Sequence, residues 1–289
     1  MEQDGVVEQA PDQEAASLSD EEKLRYATQI KLFALASTGA SSISLSDWKY
    51  SGEPQQAALK KSTVLIAGAS VAASDLVRTL SLAGIGTLIL VALEHPPSLS
   101  NDESKSVIKP LGAEVRKLNP FVNFFGVESI DDVPGTLQSI CPNILVYCAD
   151  NFNEELCEWF NSLSLEQSIP LIIYKEQGAE VELGPLVIPR ETACYICYQQ
   201  RRRATASQIE QKMLDELDTG RFNFALGANW LAVDIIKFLT GVAEPVLYGR
   251  MLRLSFAGAV PLLHPVLKLP RCPACGVHKY VPAKRLWEE

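Results

Sequence analysis

The strongest constraint on this chain is a pair of Cys-x-x-Cys turns, Cys194-Tyr195-Ile196-Cys197 and Cys272-Pro273-Ala274-Cys275, with 74 residues between them. Each such turn aims two sulfurs at one point, and four thiolates in tetrahedral array fill a structural zinc site with no open coordination position. Whatever fold forms must therefore bring residues near 275 back onto residues near 195. Pro273 stiffens the second turn, and Gly276 is expected to permit a backbone conformation that puts amide donors onto the sulfurs. The competing reading is four unliganded buried thiols, and the paired spacing favours the metal. A catalytic zinc would want a histidine or water in place of a thiolate, and His264 and His278 are the only nearby candidates. Cys148 and Cys157 read as buried small hydrophobes.

The second constraint is alternation. The apolar run Thr63-Val64-Leu65-Ile66-Ala67 ends at Gly68, a helix is expected over 70–83, and Gly84-Ile85-Gly86 turns into the apolar run 87–91. Further helices are expected near 103–117 and 153–162, and further strands near 122–127, 143–148 and 170–174. Continuous apolar strands interleaved with helices predict a doubly wound, mostly parallel Rossmann-like α/β sheet with helices on both faces. The later part should hold a polar helix over 205–218, an amphipathic helix over 225–239 closed by Gly241, and two short strands near 250–256. Ser19 with Glu22 three residues on predicts a capped opening helix whose apolar side is Leu24, Ala27, Ile30 and Leu32. The segment 37–54 reads as a loop in which Trp48 and Tyr50 either anchor a partner or pack on the domain itself.

Charge narrows the function classes. The net charge is −9, but eight acids and no base fall within residues 1–22, leaving the rest at 26 basic against 27 acidic residues. Residues 1–17 read as a disordered acidic tail and 18–289 as one α/β domain with its zinc staple. No basic stripe exists to displace counterions from a nucleic acid. No apolar stretch suits a membrane span, and no basic, apolar signal opens the chain, so a cytoplasmic protein is expected.

A sheet of this kind binds its ligand where the first strand turns into its helix, and glycines usually let backbone amides approach a phosphate there. The turn here is Gly68-Ala69-Ser70-Val71-Ala72-Ala73-Ser74. Its first glycine is present, whereas Ser70 and Ala73 replace the others. Ala92 stands where an acid should hold a ribose, with Glu94 two residues later. The geometry of a nucleotide turn is kept and its chemistry eroded.

These residues together resemble a family. Arg25-Tyr26…Gln29-Ile30-Lys31-Leu32, the turn at Gly68, Lys117-Leu118-Asn119-Pro120, Asp150-Asn151-Phe152, the four paired cysteines and Phe238-Leu239-Thr240-Gly241 resemble, in order, the ThiF/MoeB/HesA (ubiquitin-activating-like) superfamily. The resemblance implies adenylation of a peptide or protein C-terminal carboxylate with ATP and magnesium. Gly68 and Asp150 would be the survivors of that nucleotide site. The family's second arginine of the opening helix is Thr28 here, and its phosphate-neutralising stretch is Pro97-Ser98-Leu99-Ser100-Asn101-Asp102. Neither Lys105 nor Lys109 falls in register as the expected lysine. Phosphoryl chemistry rests on positioned cations and amides, so their joint loss argues against ATP/Mg use and for no catalytic residue in this chain.

Segments 184–194 and 264–276 resemble the ThiF-like partner proteins of azole and azoline cyclodehydratases in ribosomal peptide (RiPP) modification. That resemblance implies a pseudoenzyme that binds a peptide and delivers it to a YcaO-type catalytic partner. The rival readings are an active adenylyltransferase and the non-catalytic half of a heterodimeric activating enzyme whose active ThiF-like partner supplies the ATP site. A homo- or heterodimer is expected on family grounds. Leu226, Trp230, Val233 and Ile236 repeat at helical spacing, as an internal core stripe by default or a dimer face. Arg201-Arg202-Arg203 is either a grip on an acidic peptide or a solvated helix start, the latter being the commoner outcome.

Overall fold

The computed structural model describes residues 17–37, 51–68, 70–93, 104–149, 152–177, 180–205, 224–255 and 261–276. The apolar runs form the parallel strands β1 (Thr63–Ala67), β2 (Thr87–Val91), β3 (Asn123–Val127), β4 (Ile144–Cys148) and β5 (Leu171–Gln177). Three further strands, β6 (Glu180–Leu183), β7 (Arg250–Ser255) and β8 (Leu262–Pro265), extend the sheet. The order is β3-β2-β1-β4-β5-β6-β7-β8. Strands β1 to β5 pair in parallel and β5 to β8 antiparallel. The mostly parallel α/β sheet expected from the alternation is therefore present.

Alternate residues of each central strand feed opposite faces. Ile144, Val146 and Cys148 of β4 join the core under α3 (Glu53–Lys61), α4 (Val71–Ala83), α5 (Ser104–Leu118) and α9 (Phe224–Thr240). Leu145 and Tyr147 join the opposite core, under α6 (Val133–Ile140), α7 (Glu154–Gln167) and α8 (Tyr195–Thr205). All five β4 residues are buried, and each large apolar side chain so placed contributes about 1.5–3 kcal/mol.

The opening segment divides at Tyr26 into α1 (Asp20–Arg25) and α2 (Ala27–Ser37). The expected capping box is present: the Glu22 amide donates to Ser19 Oγ at 3.2 Å and the Ser19 amide to Glu22 Oε2 at 2.8 Å. Its apolar side is not the expected one. Leu24 and Leu32 are 81% and 60% exposed, whereas Tyr26, Phe33 and the carboxylate of Glu22 face inward. Glu22 is inside because Lys60 of α3 meets it at 2.6 Å; burial alone would raise its carboxyl, but Lys60 and Ser19 hold it below the ordinary range.

Several boundaries also differ. Residues 53–61 are helical, taking in the last two residues of the expected 37–54 loop, with Pro54 in the first turn where a missing N–H is harmless. Helix α6 follows a 3-10 turn over Ile130–Asp132 and ends at the exposed Cys141 in a left-handed conformation (φ +49°). One strand, not two, spans 250–255, and its hairpin partner is β8. The stripe expected in α9 holds only in part. Trp230 and Ile236 pack against the core, but Leu226 and Val233 are 58% and 50% exposed, and Ala228, Leu231, Ala232 and Ile235 form the fully buried face. That face includes two alanines, where α9 lies against α4. The polar helix over 205–218, all but Thr205, and the aromatics Trp48 and Tyr50 lie outside the described residues, as does the acidic tail apart from Ser17. Among the described residues no helix is long and apolar enough to cross a membrane.

Candidate functional site

The four paired cysteines converge. Their sulfurs all lie within 4.8 Å of one another, and Cys194, Cys197 and Cys272 are buried. Individual separations are 3.9 Å (Cys194–Cys197), 3.6 Å (Cys194–Cys272) and 3.4 Å (Cys197–Cys275). A tetrahedron with metal–sulfur bonds of about 2.3 Å has edges of about 3.8 Å, so the group could hold a metal ion.

Local structure aims each thiol. The Thr192 hydroxyl accepts from the Ile188 amide (2.7 Å) and donates to the Leu186 carbonyl (2.9 Å), closing the turn before Cys194. Asn161 of α7 accepts from the Tyr195 amide at 2.9 Å and fixes the start of α8. The Leu269 amide donates to Cys197 Sγ at 3.3 Å. Burial raises the Cys194 thiol well above its usual range and Cys197 to about 11. For Cys272, burial is more than offset by the amides of Cys275 and Ala274 and by the facing thiols, which hold it below its ordinary value. One thiol poised for ionisation beside two that resist it suits a site whose remaining protons leave when a cation arrives. Gly276 differs from expectation in its reason. A Cβ there would sit 2.4 Å from the Cys272 carbonyl oxygen, so close backbone approach requires the glycine; its amide donates to that carbonyl at 2.9 Å.

The nucleotide turn lies at the carboxyl end of β1. Gly68 has φ +135°, and a Cβ on it would come within 1.8 Å of the Cys148 carbonyl oxygen. The glycine thus lets β1 and β4 meet. Ser70 is the N-cap of α4: its Oγ accepts from the Ala73 amide at 2.7 Å and donates to the Cys148 carbonyl at 3.2 Å. The side chain is buried and stands against the helix amides that a phosphate would otherwise meet. Ala92 is buried at the end of β2. Asp150 and residues 94–103 lie outside the described residues. Phe152, next in its motif, packs edge-on to Tyr147 (5.4 Å) with Lys175 4.8 Å above its ring.

Other motif residues carry architecture. The Asn119 amide nitrogen donates to Tyr26 Oη and to the Ser81 carbonyl, both at 2.7 Å. Gln29 donates to Gln56 Oε1 (2.7 Å), and Gln29 and Gln56 both donate to the Ala83 carbonyl (2.8 and 3.0 Å). Arg25 caps the carbonyl of Leu118. The opening helices are thereby tied to the ends of α4 and α5.

A buried ionic group was not foreseen. Lys175, Glu182 and Arg253 stand in register on β5, β6 and β7. Glu182 accepts from Arg253 Nη2 (3.1 Å), Tyr198 Oη (3.0 Å) and Arg202 Nη1 (3.4 Å). Burial would raise its carboxyl, but the charges of Arg202, Lys175 and Arg253 hold it below the ordinary range. The alternation Glu180-Val181-Glu182-Leu183 was the one local trace of this group, and it does not reveal which cations arrive.

No family model matches the sequence. The vegetative HesA protein of Trichormus variabilis (strain ATCC 29413 / PCC 7937) is 24% identical over 241 residues, covering 78% of this chain and 85% of that protein. The crystal structure of E. coli MccB superposes with a TM-score of 0.69 at 20% identity, covering 90% of this chain and 74% of MccB. MccB with ATP gives 0.67 at 20% identity over 87% and 74% of the two chains. Selenomethionine PaaA gives 0.64 at 19% identity over 90% and 88%. The similarity to HesA and the superposition on MccB agree with the motif order, and the chain has the fold of the ThiF/MoeB/HesA, ubiquitin-activating-like superfamily.

Proposed function

We propose that this chain is a ThiF-like protein whose ATP site has degenerated, and that it binds a peptide or small protein and presents it to a catalytic partner. The observation that carries the reading is Ser70. Its buried hydroxyl already satisfies the α4 amide that a phosphate would need, and Gly68 is required by the Cys148 carbonyl whether or not nucleotide binds. Ala92 offers a ribose no carboxylate. A peptide-presenting role fits the fold shared with MccB, the microcin C7 biosynthetic enzyme solved with N-formylated MccA. The resemblance of 184–194 and 264–276 to azoline-pathway proteins supports a cyclodehydratase of the YcaO type as the partner. The four sulfurs would hold zinc in a structural role, their closed tetrahedron leaving no position for water or substrate. The exposed Leu226 and Val233 support a dimeric assembly, with itself or the partner.

The second reading, ATP-dependent adenylation of a C-terminal carboxylate, draws on the MccB complexes with ATP and with AMPCPP and MccA. Calorimetric titration of the zinc-loaded protein with Mg-ATP, followed by pyrophosphate exchange, separates the two. The presenting role expects neither binding nor exchange. Micromolar binding with exchange would replace it with the adenylyltransferase.

A further inference from the structure

A cavity of about 380 Å³ opens between α8 and the β7–β8 hairpin, lined among others by Tyr198, Arg201, Arg202, Met251, Arg253 and His264. Its size sits at the lower end of ligand pockets, about 300–1,000 Å³. Three arginines and one histidine face it, and no carboxylate among the described residues lines it. The arginines are held by the fold. Arg201 Nε donates to the Leu267 carbonyl at 2.8 Å. Arg202 and Arg253 converge on buried Glu182, and Arg253 Nε also lies 3.4 Å from Glu180. One wall is helix and the other hairpin, and the cysteine cluster joins the two, since Cys197 belongs to α8 and Cys272 follows the hairpin.

Pre-placed guanidinium groups recognise planar carboxylates through paired N–H donors, and partial burial strengthens such bonds. Glu182 holds Arg202 and Arg253 in place by ion pairs at 3.4 and 3.1 Å. The apolar Leu262 projects from the same face of the hairpin as His264 and is 51% exposed. The rim therefore offers an apolar contact beside the cationic floor.

We infer that this cavity binds an acidic peptide segment, with glutamate or aspartate carboxylates seated on Arg201, Arg202 and Arg253 and an apolar neighbour on Leu262. The inference rests on the peptide-presenting reading for its occupant and assigns that occupant a place remote from the Gly68 turn.

The test is calorimetric titration of the full-length, zinc-loaded protein at low salt. The probe is an acetylated, amidated hexapeptide of alternating glutamate and leucine, compared with its glutamine counterpart. The glutamate peptide should bind at least about tenfold more tightly. Arg201→Gln, which leaves the Glu182 cluster untouched, should weaken it at least about fivefold with unchanged thermal melting and unchanged zinc content. Arg253→Gln, which also unbalances Glu182, is read only alongside Arg201→Gln. Equal affinity for the two peptides, no binding of either, or an unaltered affinity in Arg201→Gln overturns the inference. In the last case peptide binding survives elsewhere and the presenting role stands. That role falls separately, by Mg-ATP binding with pyrophosphate exchange.

Discussion

Two regions of this molecule answer the same problem, polar groups buried where elements meet, in different ways. At the Gly68 turn the chain satisfies itself: Ser70 closes the first turn of α4 and reaches back to β4, so an incoming anion must first displace a bonded hydroxyl. At the cysteine cluster the chain instead gathers groups that could hold a ligand. Four sulfurs crowd together with two amides on Cys272 and one on Cys197, an arrangement that could hold a cation. A self-contained turn and a site suited to a ligand thus share one fold.

The contrast can be broken most directly at the sulfurs. Cys272→Ser should lose the metal and, with it, the largest share of stability, on the order of 5 kcal/mol or more, because binding free energy at a structural zinc site is folding free energy. Metal analysis and thermal melting check this, and intact stability in the metal-free variant would remove the clasp from the account. Next in size is Gly68→Ala. The new Cβ meets a backbone carbonyl oxygen at 1.8 Å with φ at +135°, so a loss of about 3 kcal/mol is expected from denaturant unfolding without any nucleotide present. A mild effect there would return Gly68 to the role of a phosphate-contacting glycine.

Ser70 sharpens the comparison further. Ser70→Ala should cost about 1 kcal/mol through the lost cap, and Ser70→Gly only a few tenths through that term. Equal losses in both variants would mean that the hydroxyl does not cap α4. The smallest effect concerns Glu22. Its folded pKa lies below the unfolded value of about 4.3, so its contribution is complete above that pH and disappears as pH falls through the folded pKa. Stability of Glu22→Gln measured from pH 6 to 3 should therefore decline less steeply than that of the wild type; parallel curves would remove the Lys60 pairing as a source of acid sensitivity.

The sheet was legible because its strands are continuous apolar runs, and the cysteines because paired spacing has few other uses. What escaped the sequence depended on competition between equally apolar alternatives. In α9 the expected stripe holds at Trp230 and Ile236 but not at Leu226 and Val233, because the buried face turns toward Ala228, Leu231 and Ile235. In the opening helices Leu24 and Leu32 look like core, yet Tyr26 goes inward because Asn119 waits there with a donor. The burial of Glu182 escaped for a related reason: a carboxylate is tolerated inside only once Arg202, Arg253 and Tyr198 arrive from elements distant in sequence.

The clasp also imposes an order on biosynthesis. Cys197 leaves the ribosome 75 residues before Cys272 does, so the nascent chain carries a bare thiol pair until translation delivers its counterparts. Oxidation during that interval would join the early pair to each other, and a disulfide there is a dead end that no later supply of metal repairs without a reductant.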